Sequence, residues 1–166
     1  MTPLSGQSVV FAPQPRPLVD AAMLSRLKSA AEIAPLGRAR LCLHRDHDDP
    51  VQEMIIVHTR RSWDRPHRHR RKSISIMLLE GRLRLPLFAD DGQVITCLEL
   101  GTMTSALPFM TRFSEGEWYA CVPVTEPVVI YEALTGPFRK GEDFYPDWAP
   151  EEGPELAALL RRAAGL

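Results

Sequence analysis

Stretches of period-two alternation and short β-prone apolar runs, separated by turn signals, recur along the chain and predict short strands. From Arg38 to His44, Arg38 and Arg40 oppose Ala39, Leu41 and Leu43, which predicts a strand with one wet face. Gln52 to Thr59 carries the β-prone run Met54-Ile55-Ile56-Val57. Ile74 to Leu79 and Arg82 to Phe88 form a pair joined at Glu80-Gly81, with Leu83, Leu85 and Leu87 inward and Arg82 and Arg84 outward. Asp91-Gly92 is the strongest hairpin signal, and Val94 to Leu100 returns from it. Trp118 to Val122 and Val128 to Glu132 add two more strands, and Val9-Val10-Phe11 fits a short edge strand. Pro108 leaves Met103 to Arg112 without a central-strand assignment. Helical spacing occurs in only two places. Val19 to Ile33 places Val19, Met23, Leu24, Leu27, Ala30 and Ala31 on one face and ends at Pro35 and Gly37. Glu155 to Ala164 follows Pro154 and has Leu156, Leu159 and Leu160 as its apolar side. Many short strands linked by turn signals predict an all-β barrel or jelly roll.

The 166 residues suit one domain with a sizeable core, and 45% hydrophobic with 25% charged residues is ordinary for a globular chain. The net charge of −1 gives no reason to expect a nucleic-acid or membrane partner. Charge is uneven locally. Arg60 to Lys72 carries six Arg and one Lys against Asp64 alone, whereas Gly141 to Glu155 carries six acidic residues and no basic one. Either the two zones face each other or the basic one awaits an anion. The three cysteines, Cys42, Cys97 and Cys121, form no CxxC pair, which predicts a reducing, cytoplasmic setting. Neither a membrane span nor a signal peptide is expected.

The candidate chemistry centres on Arg65-Pro66-His67-Arg68-His69. Histidines two residues apart share one face of an extended backbone, so both imidazoles can reach one metal ion. Two imidazoles alone make a poor metal site: zinc in proteins keeps at least three protein ligands, and non-haem iron takes two His and a carboxylate. Tyr119 and His44 are the candidates for a third donor. Arg65 and Arg68 flank the pair and are placed to fork onto a carboxylate or phosphate. His47 and His58 are read as surface residues, the cysteines as core, and Trp148 as packing that caps the barrel.

His67-x-His69, four residues, Ile74, six residues, Gly81 resembles the first motif of the cupin superfamily, and Gly116-Glu117-Trp118-Tyr119 falls where the second is expected. Within the superfamily the chain is most similar to the WbuC-type cupin fold metalloprotein family over roughly residues 20 to 155. The similarity rests on Arg38-x-Arg40, Leu43-His44, Asp49-x-Val51-Gln52, Leu79-Glu80-Gly81, Asp90-Asp91-Gly92, Gly136-Pro137-Phe138 and Trp148-Ala149-Pro150-Glu151-Glu152-Gly153. Two positions depart from the superfamily pattern: Ile74 stands at the glutamate ligand and Tyr119 at the last histidine.

The resemblance implies a single-domain cupin jelly-roll barrel with an N-terminal helix and a short C-terminal helix. Residues 1–17 are read as a flexible N-terminal segment, 18–37 as a helix packing on the barrel, and 38–166 as the barrel with its C-terminal helix. It implies a divalent metal (Fe, Zn, Mn or Ni) on His67 and His69. Arg65, Arg68 and His44 are the expected substrate contacts, and Tyr119 the group that moves a proton. The implied ligand is a small anionic or sugar-derived molecule, in a homodimeric protein connected with surface-polysaccharide metabolism. The alternative is a non-catalytic small-molecule binder that has lost its metal site. A nucleic-acid interface along Arg60 to Lys72 is the weakest alternative, with only Trp63 as a stacking residue.

Overall fold

The structure, a computed structural model, describes residues 8–166. The frayed start expected for the N-terminal segment falls on residues 1–7, outside the described residues. In chain order the elements are β1 (Val9–Phe11), α1 (Ala21–Ile33), β2 (Arg38–Cys42), β3 (Val51–His58), β4 (Arg68–His69), β5 (Ile74–Glu80) and β6 (Leu83–Phe88). They continue with β7 (Val94–Leu100), β8 (Met110–Phe113), β9 (Trp118–Tyr119), β10 (Val122–Pro123), β11 (Val128–Thr135), β12 (Asp143–Phe144) and α2 (Gly153–Ala163).

A large sheet runs β1-β2-β3-β11-β5-β8, antiparallel throughout except for the parallel β1–β2 edge. A smaller sheet runs β10-β6-β7, with β9 also on β6, and β4 pairs with β12 in a separate two-stranded ribbon. The sheets do not close into one continuous hydrogen-bonded barrel. The architecture is an all-β jelly roll with open edges and two short helices.

Strand phase decides the layers. On β11, Val128, Val129 and Ile130 are all fully buried, because both faces of this central strand are covered. Ile130 joins Ile56, Ile76, Leu83, Leu85 and Phe113 in the core between the sheets. Val129 joins Ala39, Leu41, Ile55 and Val57 on the outer face, under Leu27, Ala30 and Ala31 of α1. The helix begins where the Asp20 side chain accepts the Met23 amide hydrogen at 2.7 Å. Lys28 of α1 reaches Glu80 at the end of β5 at 2.6 Å. Helix α2 buries Leu156 and Leu160 against Phe88, Trp118 and Val122, and Arg84 donates to the Ala164 carbonyl at its C-terminal end at 2.7 Å. Among the described residues no helix is long and apolar enough to cross a membrane.

The Asp91-Gly92 turn carries a tertiary contact as well as a hairpin. Gly92 has φ +86°, and a Cβ there would lie 2.7 Å from Cδ2 of Trp148. The indole of Trp148 therefore lies against bare backbone, packed on Phe88 at 5.1 Å, and it caps that end of the fold. Gly116 has a similar φ of +82° with nothing near its missing Cβ. Gly92→Ala is expected to cost about 2–3 kcal/mol in urea unfolding, and Gly116→Ala only the left-handed backbone cost of about 1 kcal/mol. Equal losses would show that Trp148 gives way freely.

Candidate functional site

The site begins with backbone pairing. His67 and Tyr119 form an isolated antiparallel bridge: the His67 amide donates to the Tyr119 carbonyl at 3.0 Å and the Tyr119 amide to the His67 carbonyl at 3.1 Å. Residues that exchange both bonds stand directly opposite, so their side chains share a face. His69 lies two residues further on that face. It is paired in register with Asp143 on β12. The expected facing of the basic and acidic zones is present here, with ion pairs from Lys72 to Glu142 and from Arg65 to Glu151 beside the His69–Asp143 contact.

The side chains converge on one phenol. Tyr119 Oη lies 3.2 Å from Nε2 of His67 and 3.4 Å from Nε2 of His69. The ring is held by stacking on Phe113, with centroids 4.4 Å apart and planes 6° from parallel. His67 Nδ1 donates to the Arg65 carbonyl at 2.9 Å, and a carbonyl only accepts, so that nitrogen carries the hydrogen. His69 Nδ1 donates to Asp143 Oδ1 at 2.6 Å. In neutral rings both Nε2 atoms are thus acceptors turned toward Tyr119, whose one O–H hydrogen serves only one of them at a time.

Burial sets the charge state of these groups. It pushes His67 down to about 4. It raises the Tyr119 phenol well above its ordinary value and the Cys121 thiol to about 12. The hydrogen bond to His69 holds the Asp143 carboxyl below its usual range. Burial raises the Glu132 carboxyl, and the Arg40 charge opposes that rise.

A cavity of about 830 Å³ lies between the large sheet and these residues. His67, His69, Tyr119, Cys121 and Asp143 line one side, and Arg38, Arg40, Ile56, Ile130 and Glu132 the other. The face of β2 expected to be wet is turned into this cavity rather than out to bulk solvent. Arg38 is paired there with Asp64. His58, expected at the surface, is 2% exposed, with Nδ1 against Ser62 Oγ at 2.8 Å.

The expected substrate contacts fare differently. Arg65 lines the cavity, but its Nη2 donates to the Pro146 and Ala149 carbonyls at 2.8 and 2.9 Å. It anchors the closing loop and, through its own carbonyl, orients His67. Arg68 is not among the lining residues. Its side chain alternates away from His67 and His69, stacks over Trp118 at 4.3 Å and pairs with Asp90. His44 is buried elsewhere: its Nδ1 lies against the Glu53 backbone, 2.9 Å from the carbonyl oxygen and 3.1 Å from the amide nitrogen, and its ring meets Phe11 edge-on. Arg40, Glu132 and Asp143 enter the site without having been expected. The available signal for Glu132 was its phase with Ile130 and Leu134, a charge at an inward position.

These residues do not fit a resident divalent ion. Ile74, at the superfamily's glutamate position, is 2% exposed inside the apolar core. Tyr119 offers a neutral phenol, and Asp143 is committed to the far nitrogen of His69. Among the described residues no three His, Cys, Asp or Glu side chains are grouped to hold a metal ion. Elemental analysis of protein purified without added metal is expected to find well under one equivalent of Fe, Zn, Mn or Ni. A full equivalent that disappears in His67→Ala would overturn this assignment.

His58 gives a pH signature. Burial, then the Arg38 and Arg40 charges, push its value to about 3, below the 6.5 of an exposed imidazole. The unfolded chain takes up that proton first, so this stability is complete above about pH 6.5 and is lost as pH falls toward 3. Urea titrations at pH 7 and pH 5 are expected to show a stability difference about 2 kcal/mol smaller in His58→Gln. An unchanged difference would place the titration elsewhere.

Residues 19–100 match a family model described as a domain of unknown function (DUF6016). No curated protein matches the sequence. Many solved structures are similar in fold, among them the following three. Protein SO0799 from Shewanella oneidensis superposes with a TM-score of 0.54 at 10% identity, covering 76% of this chain and 82% of that one. CapF with an inhibitor bound gives 0.52 at 9% identity, over 64% of this chain and 31% of that one. A recombinant oxalate oxidase in complex with glycolate gives 0.50 at 12% identity, over 67% and 56%. CapF and oxalate oxidase are cupin-fold proteins, and this chain has the cupin fold.

Proposed function

We propose that the protein is a small-molecule-binding cupin that works without a resident metal and holds a polar ligand between the large sheet and the His67–His69–Tyr119 cluster. One observation carries the reading. Two imidazole acceptors share one phenol hydrogen at the wall of an 830 Å³ cavity, which leaves an acceptor free for a hydroxyl or amine of a ligand. The apolar floor of Ile56 and Ile130 suits the carbon skeleton of such a molecule. The resemblance to the WbuC-type family supports a small anionic or sugar-derived ligand taken from surface-polysaccharide metabolism. We further read the protein as a cytoplasmic homodimer. Its cysteines are free, and the outer edges of β1 and β8 have no strand partner among the described residues.

A second reading, turnover of that ligand, is favoured by the 2.6 Å bond from His69 to Asp143. A carboxylate on Nδ1 fixes the imidazole and strengthens Nε2 as a proton acceptor. His69 and Tyr119 would then move a proton on the bound molecule.

Ligand-observed NMR with a panel of sugars, sugar acids and amino sugars tests the binding reading. At least one class is expected to bind, and Tyr119→Trp, which fills the cavity, is expected to weaken it more than tenfold. Binding that survives Tyr119→Trp unchanged would place the site elsewhere.

A further inference from the structure

Arg40 differs from the other arginines along the cavity. Arg38 is neutralised by Asp64, Arg65 is spent on two carbonyls with Glu151 nearby, and Arg61 donates to the Glu32 carbonyl. Among the described residues Arg40 forms no ion pair, although it lies on the cavity-facing phase of β2 and lines the cavity. A half-buried guanidinium without a counter-ion is costly unless a partner arrives.

Register places the second member. Arg40 pairs with Ile56, Ile56 with Ile130, and Glu132 follows Ile130 by two residues on the same face of β11. Glu132 also lines the cavity and has no ion-pair partner among the described residues. The wall thus presents a free cation and a carboxyl on either side of the apolar pair Ile56 and Ile130. Across the cavity stand His67, His69 and Tyr119.

We propose that Arg40 and Glu132 form the subsite that anchors a small hydroxy-monocarboxylate, with Arg40 on the ligand's carboxylate and Glu132 on an adjacent hydroxyl. The inference rests on the ligand-binding reading above and assigns the ligand's charge and orientation. Its hydroxylated end then points to the imidazole acceptors. The charge count selects a carboxylate over a phosphate: one unpaired guanidinium balances one negative charge, and the second charge of a phosphate dianion would face the Asp143 carboxylate. Burial raises the Glu132 carboxyl, with the Arg40 charge opposing, and in its protonated form the carboxyl donates a hydrogen bond to the ligand's hydroxyl.

Isothermal titration calorimetry with D-gluconate, D-glucuronate, D-glucose and inorganic phosphate tests the assignment. The two carboxylates are expected to bind at least tenfold more tightly than glucose or phosphate. Arg40→Gln is expected to lose about tenfold to a hundredfold of that affinity, and Arg40→Lys to keep part of it. Glu132→Gln, which keeps an N–H donor, is expected to bind within a few-fold of wild type. Circular dichroism checks folding, and if Arg40→Gln does not fold, Arg40→Lys decides, since unchanged affinity there together with tight glucose binding overturns the assignment. If glucose binds as tightly as the acids and Arg40→Gln binds alike, the cavity reading stands and the Arg40 anchor falls. If none of the four probes binds, the hydroxy-monocarboxylate assignment is overturned, while a ligand found by the broader NMR panel would still uphold the cavity reading.

Discussion

The antiparallel pair between His67 and Tyr119 is the constraint on which the site depends. Two backbone hydrogen bonds hold these residues opposite each other, and that alone brings a phenol into reach of two imidazoles. The neighbouring β4–β12 ribbon does the same for His69 and Asp143. Each polar group in the cluster is thus delivered by a ladder rather than by a free loop. This suits chemistry that needs groups held to within a fraction of an ångström.

A jelly roll leaves space between two sheets, and side-chain choice decides what fills it. Towards one end of the interior Leu83, Leu85, Leu100 and Ile76 close it as dry core. At the other the same strand phases carry Arg38, Arg40, His58 and Glu132, and the space stays open as the cavity. Core and cavity meet within single strands: Ile130 belongs both to the core cluster and to the cavity wall, and Glu132, two residues on, adds a carboxyl to that wall. Burial penalises charge there, which is why His58 and His67 are held neutral and the Tyr119 phenol stays protonated.

Ile74 and Tyr119, which stand where the cupin motif has a glutamate and a histidine, have a coherent physical effect. Ile74 joins the apolar core, where a carboxylate would have to be paired. Tyr119 places a hydroxyl between the two imidazoles, so each retains a polar neighbour. The pocket is lined by hydrogen-bonding groups, and among the described residues no three His, Cys, Asp or Glu side chains are grouped for an ion.

The strands β2, β3, β5, β6, β7 and β11 and the two helices were legible in the sequence, because apolar runs, strand alternation and helical spacing are local properties. So was the closeness of His67 to His69, since two residues of extended chain settle it. The role of Arg38 and Arg40 was not. A polar face looks the same along a strand whether it meets bulk water or a cavity, and only the opposing sheet decides which. The fate of Arg68 and His44 likewise required the packing of Trp118, Asp90 and Glu53 around them. The pairing of Asp143 with His69 lies 74 residues apart along the chain, a separation over which local pattern carries no information. Sequence alone determined which faces are apolar and which carry charge. The tertiary structure decided which charges look into the cavity, because that depends on which strands lie opposite.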